Sequence, residues 1–381
     1  MIKRLFNRND NIAILIAGIF SIIIGLGVAR FAFTGLIPAM LDDYLTIKFV
    51  GILASLNFAG YLSGSIFSIF VKDINFKVYL YRFGIFLAIS TTFILAYSDN
   101  NTLWMIGRVL AGFAGAMCLI VGTSIVMQKL TIKSKTKAMG IHFSGIGFSI
   151  LTTDLLARFV LSLNYSWRDS WAVLAVFAII LSLYSVYILS FDKEVKQNAV
   201  KVKFDISIFT PFVIVLIIAY FTEGVGFVVQ ATFLPDIINN LKGLEGYGSL
   251  TWTLVGVAGI PSCIIWMLLA HRFGSSNIII IALLLQAVGI LIPAFSSNIY
   301  LNLLSGVLYG GTFIGLVALF MNLGGQLSRG NPVVLMGAMT SSYGIGQVIA
   351  PLYSVSCIEK YGNNDYALYL TAFIVLGGAV L

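Results

Sequence analysis

Charge is scarce in this sequence. Of 381 residues only 10% are Asp, Glu, Lys or Arg, against roughly 25% in soluble domains. With 59% hydrophobic residues and a mean hydropathy of +0.99, the composition is that of a polytopic membrane protein. Histidine is almost missing, with two residues, and there are three cysteines. Cys118, Cys263 and Cys357 each stand alone in an apolar segment. No CxxC or Cys/His spacing exists to hold a metal, and such isolated thiols make no disulfide framework. Two distant histidines and no Ser/His/Asp, HExxH or paired-Asp spacing argue against an enzyme. No metal or cofactor is expected. The net charge of +8 does not indicate nucleic acid, because the basic residues are scattered among short loops and make no basic face with interleaved aromatics. Met1–Asp10 is basic, but the apolar run after it is too long for a signal peptide and lacks a small-residue cleavage site.

What is present is apolar length. Hydrophobic runs fall near 12–40, 49–71, 78–97, 102–127, 138–163, 169–191, 208–239, 248–270, 277–296, 299–327, 332–357 and 366–381. They predict twelve spans, most long enough to cross a bilayer. The twelfth has 16 residues before Leu381 and is expected to be short or truncated. The polar stretch Asp192–Asp205 divides the spans six and six. The expected division is therefore a first bundle over 1–191, a linker over 192–206 and a second bundle over 207–381. With the N-terminus inside, sixteen of the 23 basic residues fall on the inner side and five on the outer. That bias puts both termini and the linker in the cytoplasm.

The chain is organised around Gly25–Asp43, GLGVARFAFTGLIPAMLDD. It lies in an apolar segment of 29 residues, Ile12–Met40, about 43 Å long as helix. Gly25, Gly27, Gly35 and Pro38 are expected to weaken or break that helix. Arg30 sits among them, where a guanidinium costs roughly 2.5–3.5 kcal/mol on insertion scales and so faces water, a partner or a ligand. Thr222–Asn240, TEGVGFVVQATFLPDIINN, echoes the stretch, with Glu223 as its embedded charge. An offset of 197 residues carries Gly27 to Gly224, Pro38 to Pro235, Gly51 to Gly248, Phe76 to Phe273 and Gly140 to Gly337. Two broken helices in a repeated pair of six-span halves point to the central site of a transporter.

Motifs narrow this. Arg108-Val-Leu-Ala-Gly112-Phe-Ala-Gly115-Ala116 resembles the RxxxGxxGA motif of the major facilitator superfamily. Leu269-Ala-His-Arg-Phe-Gly274 resembles the end of its cytoplasmic GxLADRxGR motif, with His271 where aspartate is usual. The equivalent loop Val71–Lys77 has largely lost that motif. Gly27–Pro38, Gly140-Ile-His-Phe-Ser-Gly-Ile-Gly147 and Gly344-Ile-Gly-Gln-Val-Ile-Ala-Pro351 resemble the YbfB/YjiJ-type branch, which more often has proline at the position of Gly35. The resemblance covers essentially the whole chain. It implies an all-α polytopic membrane protein with the major facilitator fold, twelve transmembrane helices in two pseudo-symmetric six-helix bundles. It also implies a monomeric, multi-pass transporter of a bacterial inner (cytoplasmic) membrane, driven by a proton gradient.

The expected function is secondary active transport of a small anionic or carboxylated solute by alternating access. The alternative is a polyspecific drug or metabolite exporter of the same fold. Arg30 is the candidate anion anchor, since guanidinium pairs bidentately with carboxylate or phosphate. Phe31, Thr34, Phe227, Gln230 and Gln347 are candidate substrate contacts, with Phe33 and Phe233 also flanking the two kinked spans. Glu223 is the candidate proton carrier, because a carboxyl in apolar surroundings is poised to gain and lose a proton. The resemblance places Arg108 near the proton path, and a clamp within the first bundle is the other reading. If Arg30 and Arg108 face one cavity, their repulsion needs a carboxylate or an anionic ligand. Asp154 either belongs with the coupling groups, paired to Arg108, or satisfies itself with Arg158 one turn on. His142 and Arg272 are candidates for gating, His142 with a structural hydrogen bond as its bland alternative. Gly60–Gly64 and Gly346–Ala350 are small-residue spacings that serve close packing or a sliding contact between the halves.

Overall fold

The computed structural model describes residues 6–131, 135–190, 206–328 and 332–381. Among these, twelve long helices follow one another: α1 Asn11–Leu41, α2 Ile47–Phe70, α3 Ile74–Tyr97, α4 Asn101–Lys129, α5 Lys135–Ser162 and α6 Trp167–Ile188 form the first half. The second half is α7 Pro211–Asn239, α8 Tyr247–Phe273, α9 Ser275–Phe295, α10 Ile299–Leu327, α11 Pro332–Tyr361 and α12 Asp365–Val380. Ten of them are long and apolar enough to cross a membrane. Of the other two, α11 is long but carries Thr340, Ser341, Ser342 and Gln347, and α12 has only 16 residues. The linker expected over 192–206 lies, but for Ile206, outside the described residues, as do Lys3, Arg4, Lys133, Lys193, Lys196, Lys201, Lys203 and Arg329 of the charge count.

Short polar residues start these helices. Asp10, Thr46, Asp73 and Asn100 accept from backbone N–H groups of the first turns of α1 to α4. Ser166 and Asp169 form a reciprocal capping box on α6, and Thr210 caps α7 ahead of Pro211. Each supplies an acceptor to donors that have no intrahelical partner. Gly274, at φ +88°, ends α8 immediately after Phe273.

The kinked helices differ from expectation. α1 does not break at its glycines but widens into a π-helical stretch, Ile23–Phe31. Such a stretch shifts the hydrogen-bond ladder and leaves carbonyls free for other donors. A second π stretch, Met117–Val121, interrupts α4. The two touch: a Cβ on Gly25 would stand 2.3 Å from the Cβ of Cys118, and Ser21 donates to the carbonyl of Cys118 at 2.9 Å. α7, by contrast, runs unbroken through Pro235.

Within the first bundle α4 packs on α2 and α3, while α5 and α6 pack on α1; within the second, α8 packs on α10, and α7 on α11 and α12. The bundles meet along two seams, α2 against α11 and α5 against α8. The 197-residue offset interchanges these seams, carrying α2 onto α8 and α5 onto α11. A third contact joins the halves of α1 and α7 beyond Arg30. There the hydroxyl of Thr34 donates to the carbonyl of Ala231, the position to which the same offset carries Thr34. The two chain halves therefore touch on their own pseudo-twofold axis.

The small-residue spacings do not lie on the seams. Gly60 and Gly112 hold α2 and α4 together, since a Cβ on either would come within 1.9 Å of a backbone oxygen of the other helix. Gly346 does the same for α7 inside the second bundle. The closest approach between the halves is instead at Gly147 and Gly256, where α5 and α8 come backbone to backbone. Gly112→Ala is accordingly expected to force α2 and α4 apart and destabilise the fold by about 1–3 kcal/mol or more. A lower detergent melting temperature with no gain from added ligand checks this, and an unchanged one contradicts it.

Candidate functional site

The π stretch of α1 aims Arg30 into the space between the bundles. The side chain is 92% buried, with a relative exposure of 8%. Its guanidinium carbon lies 4.2 Å from the ring centre of Phe58, 5.0 Å from Tyr61, 5.2 Å from Phe227 and 5.7 Å from Phe31. Three of these rings belong to the first bundle and Phe227 to the second. Cation–π attraction stabilises the charge but leaves its N–H groups to find acceptors. Nε and Nη2 of Arg30 have none among the described residues.

Arg108 is built differently. Its Nη1 donates to the carbonyl of Ala29 at 3.1 Å, in the π stretch, and its Nε points to the carbonyl of Leu53 at 3.4 Å. The ring of Phe33 covers it at 4.3 Å, and Asn57 holds its own carbonyl at 3.1 Å. It ties α1, α2 and α4 together, which is the clamp reading. Arg30 and Arg108 nevertheless line one small cavity of about 10 Å³, with Thr34, Asn57 and Thr232. No carboxylate of the described residues pairs with either guanidinium.

Glu223 is fully buried, and neither carboxyl oxygen has a hydrogen-bond partner. It does not share the chamber of Arg30. Gln286 of α9 lies beside its carboxyl, although no hydrogen bond of normal geometry joins them. One turn away, a Cβ on Gly226 would stand 3.6 Å from the Gln286 amide oxygen. The carboxyl thus looks into the second bundle. An aromatic layer separates it from Arg30: Phe227 and Phe313 at 5.2 Å, Tyr309 and Phe313 at 5.0 Å, and Tyr220 and Tyr343 at 4.5 Å. Tyr309 also donates to the carbonyl of Phe227 at 2.9 Å. Tyr309 and Tyr343 lie within electrostatic reach of both charges. Arg30 and Glu223 are thus bridged by one tyrosine-bearing wall, with Phe227 one turn on from Glu223 along an unbroken α7.

A sequence profile described as "Uncharacterised MFS-type transporter YbfB" matches residues 22–381. The chain belongs to this family. It is a major facilitator transporter, not an enzyme. Among solved structures, it resembles a crystal structure of a mutant of the nucleoside transporter NupG, with a TM-score of 0.74 and 13% identity over 98% of each chain. At that identity the likeness establishes the shared fold.

In this YbfB-type chain the remaining candidates fall as follows. Phe31 joins the aromatic wall, edge-on to Trp252 at 6.3 Å and Phe313 at 6.5 Å. Gln230 does not reach the Arg30 chamber; its amide donates to the carbonyl of Gly289 at 3.2 Å and lies 3.3 Å from the Ser305 hydroxyl, inside the second bundle. Gln347 is buried on α11 with an unpartnered amide oxygen. His142 is fully buried, bonded at 2.8 Å to Thr123, with Gly18 packed on its other ring nitrogen. That is a helix-to-helix contact within the first bundle. Arg272 lies at the exposed end of α8 over the ring of Phe273, at 5.2 Å.

Asp154 pairs with Arg158 at 3.1 Å rather than with Arg108. It also accepts from Thr253 of α8 at 2.6 Å, while Arg158 donates to the same hydroxyl. The self-satisfied pair is thereby turned into a cross-bundle latch on the α5–α8 seam. Thr253→Val is expected to lose about 0.6–1.5 kcal/mol of stability. Unfolding of the purified protein in detergent checks this, and equal midpoints for variant and parent contradict it.

Sequence reasoning missed Phe58, Tyr61, Trp252, Tyr309, Phe313 and Tyr343. With 29 phenylalanines and 17 tyrosines, aromatics mark no position. The one available signal was a buried hydroxyl, since a tyrosine inside a span must place its O–H on a partner. Adjoining ends of α1, α2, α7, α9, α11 and α12 line a second cavity of about 470 Å³. Asp236, Asn240, Asn364 and Asp365 line it.

Proposed function

We propose that this chain carries a small organic anion or carboxylated solute across the bacterial inner membrane, as a monomer working by alternating access. The bundles rock about the α2–α11 and α5–α8 seams, with both termini cytoplasmic. The single observation that carries this reading is Arg30: a buried guanidinium with two unpartnered nitrogens, in a cage whose walls come from both bundles. An anionic head group supplies the missing acceptors, and the surrounding rings suit a flat apolar body. Only a ligand touching both halves links its own binding to their movement.

Glu223 supplies proton coupling in this scheme. When ionised, it offsets part of the field of Arg30 through the wall of Tyr309 and Tyr343. When protonated, it leaves Arg30 uncompensated and the anion binds more tightly. Proton and anion therefore travel together, and anion affinity rises as pH falls. The test is flux in proteoliposomes holding a pH-sensitive dye, first with anions found by a thermal-shift screen of metabolites. An inward anion gradient that acidifies the lumen supports symport; anion entry with no proton movement rules out the coupling.

A further inference from the structure

The space between Arg30 and Arg108 is too small for the cargo just proposed, and its chemistry is unusual. Two buried guanidinium groups line it, and no described carboxylate pairs with either. Arg108 is bonded to the carbonyls of Ala29 and Leu53, whereas Nε and Nη2 of Arg30 are unpartnered. Neighbouring carbonyl dipoles satisfy donors but do not cancel charge. Two like charges in a low-dielectric interior repel strongly, and burying them unpaired is costly. The cavity measures about 10 Å³, close to the least that holds one water. A single-atom occupant matches that space. A carboxylate or phosphate group does not.

We infer that the Arg30–Arg108 cavity binds a monatomic inorganic anion of the chloride class. The ion acts as a resident counter-charge that the head group of the cargo displaces when the bundles part. This rests on the reading of Arg30 as an anion anchor. Arg30 supplies the directed donors and Arg108 the second charge. Thr232 completes the lining on the opposite bundle. The site is thus closed from both halves, and the Thr34–Ala231 contact lies at its edge. An ion so held favours the closed arrangement, because parting the bundles removes the α7 side of its shell.

The test uses the whole purified protein in detergent, with sodium chloride exchanged for sodium methanesulfonate at constant ionic strength. The melting temperature is expected to rise saturably with chloride and with bromide, and not with the bulkier sulfonate. Arg30→Gln is expected to abolish the halide response. Crystals grown in bromide should show an anomalous peak between Arg30 and Arg108, a readout that requires no variant. No halide-specific shift in the unsubstituted protein, or an undiminished one in Arg30→Gln, overturns the inference. The outcome is separable from the cargo reading. Organic anions that stabilise the protein through Arg30 in methanesulfonate, with no halide effect, would sink this inference alone. A halide effect that no organic anion competes with would instead sink the cargo reading.

Discussion

Replacing Arg30 by glutamine is expected to remove cargo binding almost completely. The argument is one of unmet donors. Arg30 is buried, and its Nε and Nη2 face no acceptor of the protein, so an anionic ligand gains charge-assisted hydrogen bonds without breaking any internal one. Truncating one partner of a buried, hydrogen-bonded charge pair costs about 2–5 kcal/mol, or roughly 30-fold to several thousand-fold in Kd. Arg30→Lys should recover little, because an ammonium cannot reproduce the planar two-pronged geometry. The fold should tolerate the change, since Arg108, not Arg30, ties α1 to α2 and α4. Titration calorimetry with an anion from the metabolite screen measures the effect. A variant binding within threefold of the parent would reject Arg30 as the anchor.

Glu223→Gln is expected to leave anion exchange running while ending its dependence on the pH gradient. Glutamine keeps the size of the protonated acid and cannot ionise, so the field at Arg30 stays at its anion-favouring level at every pH. Accumulation driven by an acid outside should fall to simple equilibration, and the rise in affinity on acidification should vanish. Gln286, which faces the carboxyl, separates charge from packing: Gln286→Leu should perturb stability without removing the pH dependence. Gradient-driven accumulation that survives in Glu223→Gln would remove the carboxyl from the coupling scheme.

Much of the architecture was legible in the residues themselves. Apolar run length predicted twelve helices, and twelve follow one another among the described residues, ten of them long and apolar enough to cross a membrane. The backbone-altering residues at a constant offset gave the pseudo-symmetry, whose most direct expression is the contact of Thr34 with Ala231. Arg30 stood out because an embedded guanidinium is rare. The facing of Glu223 was not legible, because an α-helix of uniformly apolar residues presents no face by pattern. Only the packing of Gly226 on α9 and α12, and of Gly224 on α11, fixes its rotation. The same blindness hid the cage: Phe58 and Tyr61 come from α2 and Phe227 from α7, and nothing in sequence links them before the bundles dock. Gly25 and Gly27 read as helix breakers, whereas in the fold they let α4 and α5 approach a π-wound α1.

The account stands on Arg30 as the point where cargo meets both bundles. The most direct measurement is a structure of the protein with an anion from the metabolite screen bound at saturating concentration. The account predicts its acidic group within hydrogen-bond distance of Nη2 of Arg30 and its body against Phe58 and Phe227. An anion found instead in the second cavity beside Asp236 and Asp365, with the Arg30 cage unchanged, would contradict it.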